Sequence, residues 1–227
     1  MEFFLDTASI AEIKKWKKLD VVNGVTTNPT LLSKEGNEPL EQLKEITKLV
    51  QGPVSAQVTT KDHQGMIIQG KALQNISKNI LVKVPSTIQG YLAAKELSEN
   101  GVNINITLNF NAAQIIPFCQ IPVSYVSLII GRVGDFGIIM DNKTRISQAR
   151  IVIDKLNSST KLLAASIRNP EQLSQAIVEG AHTITVPPST WELVYNNPLT
   201  ISGENDFFTA WNQLPEKIRE KYEKLSL

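Results

Sequence analysis

Ile80-Leu81-Val82-Lys83-Val84-Pro85 is apolar at every position except Lys83. A continuous apolar run of this length, rich in β-branched residues, reads as a strand covered on both faces, as in a parallel sheet. Similar runs recur along the chain at intervals of about 20 to 30 residues: Phe3–Leu5, Val22–Thr26, Val54–Val58, Val102–Leu108, Val123–Ile130, Leu162–Ser166 and Thr183–Val186. With residues 80–84 they make eight candidate strands. Amphipathic stretches lie between them. Ser9 and Glu12 form a capping-box pattern ahead of Ile13 and Trp16. Leu40, Leu43, Ile46, Thr47 and Val50 make one helical stripe, and Ile146, Ala149, Ile153 and Leu156 another. Asn169, Pro170 and Gln172 fit an N-cap, a first-turn proline and its third-position partner, with Leu173 and Ile177 facing inward. The fifth connection is bracketed by Pro117 and Pro122, which shorten any helix there.

Strands alternating with helices in one short chain point to an α/β protein, a single (β/α)8 TIM barrel. No glycine-rich dinucleotide turn follows an early strand, which weighs against an open doubly wound sheet. The expected division is a barrel over residues 1–203 and a helical appendage over 204–227, with Trp211, Leu214, Ile218 and Tyr222 on its helix. That appendage packs either on its own barrel or on a neighbouring subunit.

Composition narrows the function. The 227 residues carry 23 Lys+Arg against 22 Asp+Glu, a net charge of +1, which argues against a nucleic-acid partner. No apolar run approaches the roughly 20 residues of a membrane span, and the N-terminus lacks a signal-peptide pattern. Cys119 is the single cysteine, so no internal disulfide forms, and a cytoplasmic setting is the default. His63, His182 and Cys119 have no metal-ligand spacing, so no metal site is expected. Trp16, Trp191 and Trp211 read as packing anchors.

In such barrels chemistry sits at the C-terminal ends of the strands. Asp6 ends the first strand, Thr26 to Asn28 the second, and Gln57 the third. Lys83 and Thr107 lie near the ends of the fourth and fifth, Ser127 and Arg132 on the sixth and its loop, and Ser166 and Arg168 after the seventh. An ammonium inside an apolar run is costly unless paired or facing a cavity, and desolvation lowers its pKa towards the neutral amine that attacks carbonyls. The alternative for Lys83 is a side chain snorkelling out at the strand edge. Asp6 either shuttles protons across the barrel mouth or caps the next helix, a task Thr7 and Ser9 already serve. Arg132, Ser166 and Arg168 beside the helix opening at Asn169 suggest an anion site, against the alternative of surface arginines at a capped helix.

These residues resemble the short transaldolase and fructose-6-phosphate aldolase family. The resemblance spans nearly the whole chain. It is carried by Leu5-Asp6-Thr7, Gly24-Val25-Thr26-Thr27-Asn28-Pro29-Thr30, Ala56-Gln57-Val58, Val82-Lys83-Val84-Pro85, Asn105-Ile106-Thr107, Gly131-Arg132-Val133 and Ala165-Ser166-Ile167-Arg168-Asn169-Pro170. It implies a Schiff base on Lys83, proton transfer by Asp6 through a water held by Gln57 and Thr107, and substrate contacts from Thr26 and Asn28. It also implies phosphate binding by Arg132, Ser166 and Arg168, sugar phosphates as substrates, and no cofactor. Gln57 is similar to the aldolase branch, whereas Ser127 is similar to the transaldolases. Ile129 stands where the aldolase has tyrosine and transaldolases often have phenylalanine, so it removes a hydrogen-bond donor and keeps an apolar wall. Two of these three positions favour transfer of a dihydroxyacetone unit over its release. Alternatives are the aldolase itself and a non-catalytic sugar-phosphate-binding barrel. The resemblance further implies a homo-oligomer, a pentamer or decamer.

Overall fold

The computed structural model describes residues 1–132 and 142–226, so Val133 of the Gly131-Arg132-Val133 motif and Leu227 lie outside the described residues. Eight parallel strands close into one barrel in the order β1-β2-β3-β4-β5-β6-β7-β8, with β1 pairing β8. They are β1 (Glu2–Asp6), β2 (Gly24–Thr26), β3 (Val54–Gln57), β4 (Ile80–Pro85), β5 (Ile104–Asn109), β6 (Tyr125–Ile129), β7 (Lys161–Ala165) and β8 (Thr183–Val186). Every apolar run expected as a strand overlaps one, with bounds that differ by a residue or two at most ends. The barrel expectation therefore holds, strand by strand.

The helices follow in turn: α1 (Ile10–Lys17), α2 (Pro29–Lys34), α3 (Pro39–Leu49), α4 (His63–Gln74), α5 (Ile88–Glu99), α6 (Ala112–Ile115), α7 (Asn142–Lys155), α8 (Pro170–Val178) and α9 (Pro188–Tyr195). The fifth connection is indeed short, a single α turn followed by a 3-10 turn at Pro117–Gln120 that buries Cys119. Ile13, Trp16, Leu43, Ile46, Ile146, Ala149 and Ile153 are buried as their spacing requires. Leu40, Leu156 and Ile177 are exposed instead, and Ala176 takes the inward place beside Leu173. The first capping box is one-sided: Ser9 accepts from the Glu12 amide, but the Glu12 carboxylate turns to Trp16 Nε1 at 3.0 Å.

The C-terminal segment departs from the expected single helix. Helix α10 (Pro198–Asn212) starts on Pro198, capped by Asn197, and so runs across the 203/204 position set as the boundary. It ends before Pro215, whose ring cannot continue it, and α11 (Glu216–Glu223) follows. Trp211 and Tyr222 bring the two together, with ring centroids 5.0 Å apart.

Two apolar cores result from the pleat. Val25, Val54, Val82, Ile106, Leu128, Ala164 and Ile184 belong to the core that also takes in the helix stripes. Phe4, Leu81, Tyr125, Leu163, Ile129 and Ala165 form a separate cluster that fills the barrel interior. Gly24 pairs with Phe4, and a Cβ there would stand 2.8 Å from the Phe4 ring and 2.6 Å from the Pro53 carbonyl, so glycine makes room for a fully buried interior ring. Higher in the barrel the interior becomes polar. Ser127 Oγ donates to Asn105 Oδ1 at 2.7 Å, and Asn105 Nδ2 donates to Ser55 Oγ at 3.2 Å, all three residues being buried.

Candidate active site

The C-terminal ends of the strands enclose a cavity of about 520 Å³. Asp6, Thr26, Asn28, Gln57, Lys83, Thr107, Ser127, Ile129, Arg132, Ser166 and Arg168 all line it, so every side chain selected from the sequence converges on one place. The parallel register explains much of this convergence. Asp6 pairs with Thr26, Gln57 with Lys83, and Pro85 with Thr107, so neighbours in the sheet deliver side chains at matching heights.

Lys83 is 8% exposed, and its Nζ donates to the Thr27 carbonyl at 3.1 Å. It therefore does not snorkel away at the strand edge. Burial pushes the Lys83 ammonium below the ordinary lysine range; the Asp6 charge opposes this, and the Arg132 charge adds to it. Asp6 is shifted the opposite way, raised by desolvation against the lowering influence of Lys83 and of the Thr26 hydrogen bond. The environment thus favours the neutral form of both groups.

Asp6 is not the cap of α1. Its Oδ1 accepts from Thr26 Oγ1 at 2.8 Å, while Ser9 caps the helix and its amide donates to Thr7 Oγ1. Thr26 has one hydroxyl proton. Since that proton goes to Asp6, the 2.6 Å contact between Thr26 and Thr185 must have Thr185 as donor. Thr185 was not singled out in the sequence, although Thr183-Ile184-Thr185-Val186 places it near the same strand end as the others. Asn28 caps α2 by accepting from the Leu31 amide at 3.0 Å, and its Nδ2 has no partner among the described residues.

The side of the cavity that carries Arg132, Ser166 and Arg168 is built from backbone strain and close approach. Ser166, just past β7, has φ 63°, a left-handed conformation that costs a non-glycine residue about 1–2 kcal/mol. Leu108 beside Thr107 has the same φ of 63°. Such strain persists where the surroundings over-determine it, commonly at functional sites. Gly131 donates its amide to the Ser166 carbonyl at 3.0 Å, and a Cβ there would lie 2.3 Å from that oxygen. Only glycine lets the β6 loop lie this close to β7, which brings Arg132 alongside Ser166 and Arg168. The N-terminus of α8 contributes less than its sequence suggests. Pro170 has no amide, Asn169 Oδ1 takes the Gln172 amide at 2.8 Å, and Gln172 Oε1 takes the Arg168 amide at 3.0 Å. The side chains left facing the cavity on this side are those of Arg132, Arg168 and Ser166.

The sequence reading missed Lys34, which lines the cavity from the end of α2, and Arg145, which is buried on α7. With Lys83, Arg132 and Arg168, Lys34 makes four basic side chains against the one carboxylate of Asp6 among the described residues that line the cavity. The residues passed over as bystanders lie elsewhere. His182 precedes β8 at the opposite end, where its Nδ1 accepts from the Leu162 amide at 2.9 Å, and Trp16 packs 6.1 Å from Trp191.

A sequence profile of the Transaldolase/Fructose-6-phosphate aldolase family matches residues 3–226. A protein of Oceanobacillus iheyensis named "Probable transaldolase" is 43% identical over 212 residues, covering 93% of this chain and 99% of its own. Another of that name from Shouchella clausii is 41% identical, with 94% and 98% covered. One from Thermoanaerobacter is 39% identical, with 96% and 100% covered.

Proposed function

The chain belongs to the transaldolase/fructose-6-phosphate aldolase family, and from this we propose that it is a transaldolase whose nucleophile is Lys83. The observation that carries the assignment is a buried amine and an enclosed carboxyl in one cavity, each shifted towards neutrality, with arginines on the far side.

The Lys83 amine attacks the carbonyl of a ketose phosphate such as fructose 6-phosphate or sedoheptulose 7-phosphate. Asp6 moves protons as the carbinolamine forms and loses water, through a water held by Gln57 and Thr107. As Asp6 takes the hydroxyl proton of the departing carbon, the protonated imine accepts the electron pair of the breaking carbon–carbon bond, so the chemistry requires no cofactor. An aldose phosphate leaves, and a three-carbon dihydroxyacetone enamine remains on Lys83. Thr26 keeps Asp6 oriented, Asn28 binds substrate hydroxyls through its amide nitrogen, and Ser127 and Ile129 shape the wall beside the enamine. Arg132, Ser166 and Arg168 hold the distal phosphate and set which bond lies over the imine.

Transfer to an aldose phosphate acceptor is favoured over release because Ile129 presents an apolar surface. It cannot hold a water to protonate the enamine for release. Gln57 supports the second reading, a fructose-6-phosphate aldolase. Turnover of fructose 6-phosphate with and without erythrose 4-phosphate separates them: transaldolase activity requires the acceptor, and appreciable free dihydroxyacetone in its absence overturns the choice. Borohydride reduction with substrate adds a three-carbon mass at Lys83; without that adduct the Schiff-base assignment fails.

The same reading includes a homo-oligomer, a pentamer or decamer, in a cytoplasmic setting. Leu199, Phe207, Phe208 and Leu225 of the C-terminal segment, each at least 67% exposed, support an interface there. Light scattering of the purified chain gives the subunit number. No helix among the described residues is long and apolar enough to cross a membrane.

A further inference from the structure

Arg145 is a cation where a helix would ordinarily present an apolar residue to the barrel. It is 4% exposed. Its Nε donates to the Phe110 carbonyl at 3.0 Å, and its Nη2 donates to the Ile129 carbonyl at 2.6 Å. Phe110 directly follows β5, and Ile129 is the last residue of β6. One planar fork therefore spans two adjacent strand ends at the mouth, a geometry that suits guanidinium and not ammonium.

A second side chain crosses the same seam. Asn109 is fully buried, and its Nδ2 donates to the Ile106 carbonyl at 3.1 Å and to the Ser127 carbonyl at 3.0 Å. Between these fasteners the ladder itself is irregular: the β5–β6 register shifts between Ile106 and Asn109, and Leu108 is left-handed. Shifts of this kind re-aim side chains next to active sites. Here the re-aimed segment carries Thr107 and Leu108 on one side, and the strand end at Ile129 leads within three residues to Arg132 on the other.

The geometry points to Arg145 as a positioning residue for the transaldolase reaction. By holding the Phe110 and Ile129 carbonyls in one fork, with Asn109 as its second tie, it fixes Thr107 relative to Lys83 and Arg132 relative to Ser166 and Arg168. The proton-transfer side and the phosphate-holding side are thereby set by one residue that is not among those lining the cavity. This inference rests on the reading of Lys83 as the Schiff-base nucleophile.

The test is Arg145→Lys, which keeps the charge and loses the fork. Rates are normalised to the fraction of chains that borohydride traps on Lys83, so that inactive or unfolded protein does not count. Misplacement of reacting groups by about 1 Å costs on the order of 100-fold. The expected kcat per trapped site falls about 10- to 100-fold for both fructose 6-phosphate and unphosphorylated fructose. KM rises only for the phosphorylated donor. Wild-type kcat and KM per trapped site, with only a lower Tm, would show a purely structural residue and overturn the inference. If Arg145→Lys does not fold, Asn109→Ser cuts the second tie with little change of volume and is read by the same split. Failure of both to fold likewise assigns the seam a structural role alone. Absence of any adduct on the wild-type chain is a separate result, which rejects the Schiff-base reading itself.

Discussion

At the N-terminal end of the barrel the Glu2 carboxylate accepts from Lys161 Nζ at 2.9 Å, from Tyr125 OH at 3.0 Å and from Thr183 Oγ1 at 3.0 Å. At the C-terminal end, among the described residues, Asp6 accepts from Thr26 alone and Lys83 reaches only a backbone carbonyl. Both ends place charged groups among the same eight strands. At the bottom each polar group answers another, and the net effect on Glu2 is a carboxyl held below the usual range. Its partial burial works the other way, but the hydrogen bonds from Lys161, Thr183 and Tyr125 and the nearby Lys161 charge outweigh it. At the mouth burial prevails over pairing, so the amine falls, the carboxyl rises, and two residues remain in left-handed strain. The bottom converts polar groups into stability, whereas the mouth gives up stability to keep reactive groups under-satisfied.

That contrast predicts rate losses without stability losses at one end and the reverse at the other. The largest effect is Lys83→Met. Loss of a covalent nucleophile removes at least about 10⁴-fold of turnover. Tm stays level or rises, because an apolar side chain of similar volume relieves a costly buried amine. A steady-state assay beside a thermal melt reads both, and a marked drop in Tm breaks the contrast. Next is Asp6→Asn, with a loss of about 10²- to 10⁴-fold, the usual contribution of a positioned proton carrier. The Asp6 charge favours protonated Lys83, so its removal moves the acid limb of the residual pH–rate profile to lower pH. A limb that moves to higher pH refutes the assigned coupling.

Gly131→Ala comes third. The added methyl meets the Ser166 carbonyl, the β6 loop shifts, and KM for the phosphorylated donor rises about 10-fold while kcat changes less, as for loss of one charge-assisted contact. The smallest effect belongs to Glu2→Gln, which weakens the bottom network and lowers Tm by about 2–4 °C, near 1 kcal/mol for a chain of this size, with kcat unchanged. Its sign with pH is fixed. The folded-state pKa lies below the unfolded one, so the Glu2 contribution is complete above the ordinary glutamate range and fades as pH falls through the lowered folded value. Melts of the two proteins should converge in acid; a gap that persists there excludes this origin.

Much of the mouth was legible because a parallel barrel converts linear order into convergence. Each strand end contributes its own polar residue, and those residues could be listed without knowing any distance. Thr185 is open to the same rule, as a polar residue near the end of β8. Arg145 gave no such signal, since an arginine beside Ile146 on an amphipathic helix reads as solvent-facing. Its burial depends on how the start of α7 meets the residues at the ends of β5 and β6. The register shift near Leu108 was equally hidden, because leucine in a strand advertises no left-handed turn.

The sequence by itself determined the eight strands, the barrel they close into and the residues brought to its mouth, because hydrophobic periodicity and strand-end position are local properties of the chain. Closure of the barrel settles that Asp6 bonds Thr26 instead of capping a helix, and that the Gln172 amide and the Arg168 amide are taken by the side chains of Asn169 and Gln172. It alone decided that a buried guanidinium ties β5 to β6. Those outcomes depend on which of several satisfiable polar partners lies nearest after closure. Hydrogen-bonding groups such as Asp6 and Arg145 have several acceptable partners in sequence and only one set in space.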